Sequence, residues 1–180
     1  MILPLVYYGN KKLRTRCESV GEITSDLCKL VADMIETMDA KNGIGIAAPQ
    51  VGHLLRLFVV RDYIELEDGK LSLSAPKVYI NPKLSRLSEE TCIEKEGCLS
   101  IPGLREEVER PLRIRIEALN LQGELFMEEL EGYNARSRMH ENDHLNGVLY
   151  IDRIDAGRRK KIEPMLKLLE RKYKQSSVSS

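Results

Sequence analysis

Apolar residues at helical spacing define the first predicted element of the chain. Between Ser25 and Lys41 they recur every three or four positions, which is typical of a helix with one core-facing stripe. Ser25 is placed to cap the start of this helix, and Asn42-Gly43 to end it. The stripe consists of Leu27, Leu30, Val31, Met34, Ile35 and Met38.

The middle of the chain carries strand patterns. Residues 54–62 (LLRLFVVRD) are rich in β-branched and aromatic residues, and residues 77–82 (KVYINP) predict a second strand that ends at its proline. EDGK, at residues 67–70, predicts a hairpin turn. Apolar and charged residues alternate over residues 112–118, which predicts a half-buried antiparallel strand. NLQGE, at residues 120–124, predicts a turn that connects this strand to a second one, LFMEEL.

Helical patterns return after residue 134. The first helix carries MHENDHL and stops at Asn146-Gly147. The second places an apolar stripe along a basic segment, and Pro164 predicts a start or kink there. The predicted fold class is α+β, with short antiparallel strands around a central HENDH helix and with N-terminal and C-terminal helices. We predict one catalytic domain over residues 1–174 and a disordered tail over residues 175–180. The stripe of the last helix is Ile162, Met165, Leu166, Leu169 and Tyr173.

Composition narrows the functional classes. The 180 residues suit one domain, and 28 basic residues balance 28 acidic ones, so no global charge points to nucleic acid or to a membrane. The sequence has no 18-residue apolar stretch, signal segment, dinucleotide fingerprint or P-loop. The four cysteines form no C-x-x-C pair, so we expect thiols rather than disulfides.

The sequence HENDH carries the strongest chemical signal. His140 and His144 stand four residues apart, so a helix points both imidazoles at one side, with Glu141 beside them. Two neutral nitrogens can hold a metal ion, and a carboxylate can take a proton from the water that the ion acidifies. The alternative is a chance pair of histidines on a helix.

A catalytic metal site of this type needs a third protein ligand. Downstream of His144 the only glutamates are Glu163 and Glu170, both on the basic C-terminal helix. Upstream, the candidates are Cys92 and Cys98. Cys98 lies in EGCLSIPG, where glycine lets the backbone pass close to an ion. Position alone favours Cys98 only modestly.

Three motifs together resemble the signature motifs of peptide deformylases, in the same order and at fitting separations. They are GIGIAAPQVG at 43–52, EGCLS at 96–100 and HENDHLNG at 140–147. The resemblance spans nearly the whole chain. It implies a hydrolase that removes the formyl group from the N-terminal formyl-methionine of nascent polypeptides and releases formate. It also implies one divalent metal ion per chain, Fe²⁺ in the cell with Zn²⁺, Ni²⁺ or Co²⁺ as substitutes.

The resemblance assigns a role to each site residue. It implies that Cys98, His140 and His144 hold the metal, whose water attacks the formyl carbon. It implies that Glu141 shuttles the proton, and that Gln50 and the Leu99 N–H stabilise the oxyanion. Formamide hydrolysis needs these three functions: a nucleophile, an acid for the leaving amine and donors to the oxyanion. The residues alone leave Gln50 open to another role, that of a loop amide capping a turn.

The expected substrate-binding residues flank these motifs. By resemblance they are Ile44, Gly45, Gly97, Tyr133, Arg136 and Ser137. Gly45 would let the substrate lie alongside as an added strand, whereas Ile44 is equally suited to core packing. The family usually has apolar residues where this chain has Ser137 and Arg138. We expect Ser137 to change the polarity or shape of the methionine pocket, and Arg138 to affect packing or a partner surface.

The C-terminal helix raises the question of partners. Eight basic residues and two acidic ones lie between Arg158 and Lys174, which is typical of a solvated face. The resemblance implies contact between this helix and the ribosome as a second interpretation. We expect no membrane partner. The expected location is the bacterial cytoplasm, with a trimmed organellar form as the alternative. The rival functions are a zinc endopeptidase that uses Glu163 or Glu170, and a deformylase-like binding protein with an impaired site. Cys98→Ala separates the first rival from a deformylase.

Overall fold

The computed structural model describes the backbone of residues 1–176 and the side chains of residues 1–174. Within this range there are three α-helices and nine strands. The helices are α1 (Ser25–Ala40), α2 (Gly132–Leu145) and α3 (Ala156–Ser176). The strands are β1 (Gly45–Ala47), β2 (Leu57–Val60), β3 (Tyr63–Glu65), β4 (Leu71–Leu73), β5 (Lys77–Arg86), β6 (Thr91–Cys98), β7 (Ile101–Pro111), β8 (Arg113–Leu119) and β9 (Leu125–Glu131). Short 3-10 helices cover Lys11–Arg14, Ala48–Val51 and Tyr150–Asp152.

The strands form three antiparallel sheets. Five strands make the main sheet in the order β1-β2-β5-β8-β9, while β3-β4 and β6-β7 are separate hairpins. The helix α2 packs against β1, β2, β8 and β9 on one side and against β7 on another. The α+β class, with antiparallel strands around a central helix, is therefore confirmed. The four cysteines are free thiols, as expected.

The main sheet lies between α1 and α2. In β2, Leu57 and Val59 join the core under α1, whereas Phe58 and Val60 face Leu145 of α2. Successive side chains of a strand point to opposite faces, so a strand covered on both faces must be apolar throughout. This explains why LFVV shows no alternation, while β8, with one buried face, alternates as predicted.

The helix α1 matches its predicted range but not its predicted cap. The Thr24 side chain, not that of Ser25, accepts the Leu27 N–H at 3.2 Å. Such a cap contributes about 1 kcal/mol. At the other end Asn42 adopts a φ of 54°, and the Gly43 N–H donates to the Met38 carbonyl at 2.9 Å. This left-handed termination confirms the predicted end of the helix.

The strand end predicted at Pro82 is wrong. A helix start at Pro164, one of the two alternatives given for that proline, is also wrong, and a kink there stays a prediction. The strand β5 runs past Pro82 to Arg86, because a register shift between Ile80 and Lys83 accommodates a residue with no N–H. The helix α3 begins at Ala156 and contains Pro164 in its interior.

The apolar stripe of α3 is confirmed in part. Ile162, Leu166 and Leu169 are buried against the core that includes Leu13 and Ile101, and Tyr173 packs against it. Met165, at the side of this stripe, is 48% exposed. Of the predicted tail, residues 175 and 176 belong to the helix, and residues 177–180 lie outside the described range.

Candidate active site

The structure brings Cys98, His140 and His144 together. Cys98 ends β6, and the two histidines lie one turn apart on α2. The candidate ligand atoms all lie within 4.8 Å of one another, and Cys98 Sγ is 3.3 Å from His144 Nε2. One sulfur and two imidazole nitrogens, with room for a fourth ligand, suit a catalytic transition-metal ion such as Fe²⁺ or Zn²⁺. The residues present therefore fit the metal that the motifs imply.

A buried carboxylate orients His140. Glu96 Oε2 lies 2.8 Å from His140 Nδ1, which leaves Nε2 free to face the site. A carboxylate behind a ligating histidine fixes the ring and increases its basicity. Arg110 binds both oxygens of Glu96 at 2.7 and 2.8 Å, and Arg136 binds one at 2.7 Å. Burial alone would raise the pKa of Glu96, but Arg110 and His140 hold it well below its usual value.

The two histidines are held in different states. Burial lowers the pKa of His144 well below its ordinary value, so the ring is neutral and available as a ligand. Burial acts in the same direction on His140, but its contacts with Cys98 and Glu96 outweigh it and raise the pKa. Together, the pair offers a metal one imidazole that is already neutral and one that a carboxylate orients.

Glu141 is the free carboxyl of the site. Its side chain is buried, and Oε2 has no hydrogen-bond partner among the described residues. Burial raises its pKa to about 7. A Cβ added to Gly45 would lie 2.3 Å from Glu141 Oε1, so any side chain at position 45 would force the Glu141 carboxyl to move. A buried carboxyl with an unsatisfied oxygen is suited to accept and release a proton.

Gln50 has the turn-capping role that was weighed for it, and its amide nitrogen also faces the candidate metal ligands. In the 3-10 helix Ala48–Val51, its Oε1 accepts the Ala47 N–H at 2.8 Å and so closes the turn. This bond fixes the amide, and Nε2 then points at Cys98 Sγ, 3.4 Å away, and at Ser100 Oγ, 3.2 Å away. The amide N–H is thereby directed to the edge of the metal site.

A cleft of about 340 Å³ opens over this centre. Its wall includes Cys98, His140, Glu141, Gln50 and Leu99, while His144 lies beneath it. All six residues expected to bind substrate also line the cleft: Ile44, Gly45, Gly97, Tyr133, Arg136 and Ser137.

Two of these six have side chains that are engaged elsewhere. The Arg136 guanidinium binds Glu96 and the carbonyls of Val108 and Cys92, so it supports the wall instead of projecting into the cleft. The Ser137 hydroxyl donates to the Asn134 carbonyl at 2.9 Å and accepts from Arg138 at 3.1 Å. The Ser137 hydroxyl therefore hydrogen-bonds within α2, although the residue also lines the cleft.

Several residues of the site were not found from the sequence. Glu96 left a usable signal: it lies two residues before Cys98 on β6, and residues two apart on a strand share a face. Arg110 left none, because its pairing with Glu96 depends on the register of β6 and β7. Tyr63, Lys95 and Arg105 also line the cleft and were not predicted.

The rival ligands lie outside this centre. Glu163 pairs with Arg159 at 2.9 Å and Glu170 with Lys174 at 2.6 Å, all on α3. Within residues 1–174, the group of side chains able to hold a metal is Cys98, His140 and His144. The zinc endopeptidase alternative is therefore not favoured. A metal centre beside a free carboxyl in an open cleft defines a metal-dependent hydrolase.

Comparison with known proteins gives the family. Residues 2–160 match the family model of polypeptide deformylases. The peptide deformylase of Psychrobacter cryohalolentis is 43% identical over 178 residues, covering 97% of this chain and 93% of the relative. That of Acinetobacter baumannii strain SDF is 39% identical, covering 99% and 97%. The chain belongs to the peptide deformylase family, as its three motifs predicted.

Solved structures agree with this assignment. A plant peptide deformylase 1B is 35% identical with a TM-score of 0.87, covering 97% of this chain and 92% of that one. The Ehrlichia chaffeensis peptide deformylase is 36% identical with a TM-score of 0.85, covering 96% and 98%. An Acinetobacter baumannii deformylase solved with Met-Ala-Ser bound is 35% identical with a TM-score of 0.78, covering 86% and 99%. The predicted enzyme class, a peptide deformylase, is confirmed.

No helix within residues 1–176 combines the length and the apolar character that a membrane crossing requires.

Proposed function

We propose that this enzyme hydrolyses the formamide bond of N-terminal formyl-methionine in nascent polypeptides, releasing formate and a free amino terminus. The observation that carries the proposal is the convergence at one cleft of three metal-ligating side chains, a carboxyl with an unpartnered oxygen, and an oriented amide donor. The Met-Ala-Ser bound by the Acinetobacter baumannii deformylase is what remains after a formyl group leaves formyl-Met-Ala-Ser. It supports the same substrate class here.

Cys98, His140 and His144 would hold one divalent ion, with Fe²⁺ as the proposed ion in the cell and Zn²⁺, Ni²⁺ or Co²⁺ as substitutes. When bound, such an ion lowers the pKa of water and polarises a carbonyl group. The thiolate of Cys98 donates charge to the ion, and it makes the site sensitive to oxidation when iron is present. Glu96 keeps His140 in the orientation that ligation requires.

Glu141 and Gln50 would carry the proton and the developing negative charge. Glu141 would accept, at its free Oε2, a proton from the water whose oxygen bonds to the formyl carbon, and pass it to the amine nitrogen. The C–N bond then breaks to give formate and a neutral amine. The amide N–H of Gln50 donates to the formyl oxygen as it becomes negative, and the Leu99 backbone N–H is the proposed second donor. Because Ala47 fixes the Gln50 amide, this donor is oriented before substrate arrives.

The substrate chain would lie along the free edge of β1. This strand pairs with β2 on one side only, so within residues 1–176 its other edge is open to an added strand that begins beside Gly45. Ile44, Tyr133 and Ser137 would border the methionine side chain, and Gly97 would let the peptide pass close to β6. Arg136 would act through Glu96.

The test of the reaction is anaerobic loading of the apo-protein with Fe²⁺, followed by assay of formate release from formyl-Met-Ala-Ser. Glu141→Ala should lower kcat by about 10²–10⁴-fold, and Cys98→Ala should lose both metal and activity. Glu163→Ala is the matched control, since it removes the rival ligand, and it should behave as wild type. If the wild type releases no formate, the proposal is overturned. If Glu163→Ala loses its metal, Glu163 is a ligand and the zinc endopeptidase becomes the better explanation.

Metal identity has its own test. Iron-loaded enzyme should lose activity in air, while nickel-loaded enzyme should keep it, because Fe²⁺ and its thiolate ligand oxidise together. Equal loss of activity in both forms would contradict the assignment of iron.

Ribosome contact through α3 is a proposal that rests on charge. Lys160, Lys161, Lys167 and Arg171 are exposed on this helix. Removing the helix would not test the contact, because Ile162, Leu166 and Leu169 belong to the core. Changing the four exposed basic residues to Gln should instead weaken ribosome binding and flatten its salt dependence. Unchanged affinity would refute the contact. The cytoplasmic location and the single domain over residues 1–174 stay predictions.

A further inference from the structure

Arg138 is a fully buried arginine on α2, and none of its hydrogen-bond partners is a candidate metal ligand. Its side chain has no exposed surface. The guanidinium binds both carboxylate oxygens of Asp62, with the Nη2–Oδ2 distance at 2.9 Å. It also donates to the Tyr79 hydroxyl from Nε at 3.0 Å and from Nη2 at 2.9 Å, and to Ser137 Oγ at 3.1 Å. A planar donor with this many fixed partners joins the segments that carry them.

The principal partner, Asp62, is the residue directly before the β3–β4 hairpin. Asp62 and Ser74 close the base of the hairpin: the Asp62 N–H donates to Ser74 Oγ at 3.0 Å, and the Ser74 N–H donates to the Asp62 carbonyl at 2.8 Å. Within residues 1–176 the hairpin pairs with no other strand. Its position relative to α2 therefore depends on contacts made at its base and by its side chains.

The first residue of the hairpin lines the catalytic cleft. Tyr63 borders the cleft together with Tyr133 of α2, and their ring centroids lie 5.6 Å apart. Arg138 thus lies behind the wall of the cleft, tied through Asp62 to the residue before Tyr63 and directly to Ser137. The helix presents Ser137 to the cleft and Arg138 to the sheet, because adjacent helical residues point about 100° apart.

We propose that Arg138 is a positioning residue that determines how well the cleft holds its peptide. By fixing Asp62 it holds the hairpin so that Tyr63 stays against Tyr133 as part of the cleft wall. This proposal rests on the proposed function and deepens it. Tyr63 lies in the wall, apart from the metal ligands and Glu141, so it contributes equally to binding the substrate and the transition state. Loss of such uniform binding raises KM and leaves kcat unchanged.

A purely structural role for Arg138 makes a different prediction. The cluster continues outward to the surface: the Tyr79 hydroxyl donates to Glu128 at 2.5 Å, and Glu128 pairs with the exposed Lys77 at 2.5 Å. Glu128→Gln removes a charge from this cluster without touching Asp62 or Ser137, and it is the matched control. If Arg138 served only to neutralise buried charge, changes at either end of the cluster would act alike.

The chain contains no tryptophan, so Tyr63→Trp places a single tryptophan in the hairpin, and its fluorescence can be excited separately from that of the tyrosines. In nickel-loaded Tyr63→Trp protein, the fluorescence anisotropy decay of residue 63 should gain a fast component when Arg138→Met or Asp62→Asn is added. It should not change when Glu128→Gln is added. Asp62→Asn keeps the measurement available if Arg138→Met fails to fold. An unchanged decay in folded Arg138→Met and Asp62→Asn, or an equal change in all three, would overturn the proposal.

Kinetics on formyl-Met-Ala-Ser give the second readout. With Tyr63 present, Arg138→Met should raise KM about five-fold and leave kcat within about two-fold. Arg138→Lys keeps the charge but loses the planar guanidinium. Its KM should lie between those of the wild type and Arg138→Met. In a Tyr63→Ala background Arg138→Met should have no further effect on KM, and an additive effect would refute the route through Tyr63. If the wild type releases no formate, the proposed function fails, and the anisotropy measurement still decides whether Arg138 holds the hairpin.

Discussion

Two arginines of α2, Arg136 and Arg138, are two residues apart and enter opposite sides of the fold. Both guanidinium groups are buried and both bind a carboxylate. Arg136 joins the cluster around Glu96, which orients His140. Arg138 joins the cluster around Asp62, at the base of the β3–β4 hairpin. The same interaction therefore supports the metal ligands on one side of the helix and the cleft wall on the other.

The two clusters differ in how firmly they are built. Around Glu96, two carboxylates meet three arginines: Arg110 bridges Glu96 and Asp143, and Arg153 binds Asp143 as well. Around Asp62, one arginine supplies the bonds, and Asp62 keeps 13% of its side chain exposed. Buried ion pairs contribute little net stability compared with apolar packing, but they fix geometry. The cluster around Glu96 has more ion pairs and lies behind His140, a candidate metal ligand whose orientation must be fixed. The cluster around Asp62 has fewer and lies at the base of the β3–β4 hairpin.

The largest effect is expected from Glu96→Gln. It leaves a buried arginine cluster short of one negative charge, and it weakens the bond that orients His140. We expect a loss of about 3–5 kcal/mol in the free energy of unfolding and of about 10–100-fold in metal affinity. Urea unfolding and competition with a chelator measure the two. Wild-type metal affinity in this variant would show that Glu96 does not orient the ligand.

The second effect compares single and double changes at the other cluster. Arg138→Met leaves the partly buried Asp62 carboxylate without its partner, and we expect a loss of about 2–3 kcal/mol in unfolding free energy, below the range for fully buried pairs. Arg138→Met/Asp62→Asn removes both charges and should recover to within about 1 kcal/mol of wild type. Urea unfolding of all four proteins completes the cycle. Additive losses would show that the two side chains do not act as a pair.

A pH series separates the Asp62 pair from the rest of the molecule. Burial alone would raise the pKa of Asp62, but Arg138 from α2, together with Lys77 from β5, holds it below its ordinary value of 3.8. A lowered pKa means that the pair stabilises the fold fully above about pH 4 and loses its effect as the pH falls through the folded-state pKa. The difference in unfolding free energy between wild type and Asp62→Asn should be constant from pH 7 to 5. It should shrink below about pH 4, and growth on acidification would contradict the pairing.

The smallest effect is expected at the outer end of the Arg138 cluster. Lys77 pairs with Glu128 at 2.5 Å, but the lysine side chain is 46% exposed. Lys77→Met should therefore change the unfolding free energy by only about 0–1 kcal/mol and leave KM at its wild-type value. A loss comparable to that of Arg138→Met would show that the cluster is stabilised as a unit and not through Asp62.

The site was predictable where its chemistry is local in sequence. His140, Glu141 and His144 share one helix, so their spacing alone gives their common face. The choice between Cys92, Cys98 and a downstream glutamate was not local, and it depended on three motifs read together. Arg136 and Ser137 line the cleft, but their side-chain partners were not foreseen.

The sequence by itself determined the α1 stripe, the alternation of β8, the EDGK turn and the residue types around a metal. The helix stripe, the strand alternation and the turn depend on the spacing of residues close together in the chain, and the metal site depends on which side chains can donate to a metal. Only the tertiary structure decided that Glu96 lies behind His140 and that Arg138 is buried against Asp62, 76 residues away in the chain. A charged side chain is stable in the interior only beside a partner. That partner is supplied by strand register and helix packing, so its identity is a property of the fold.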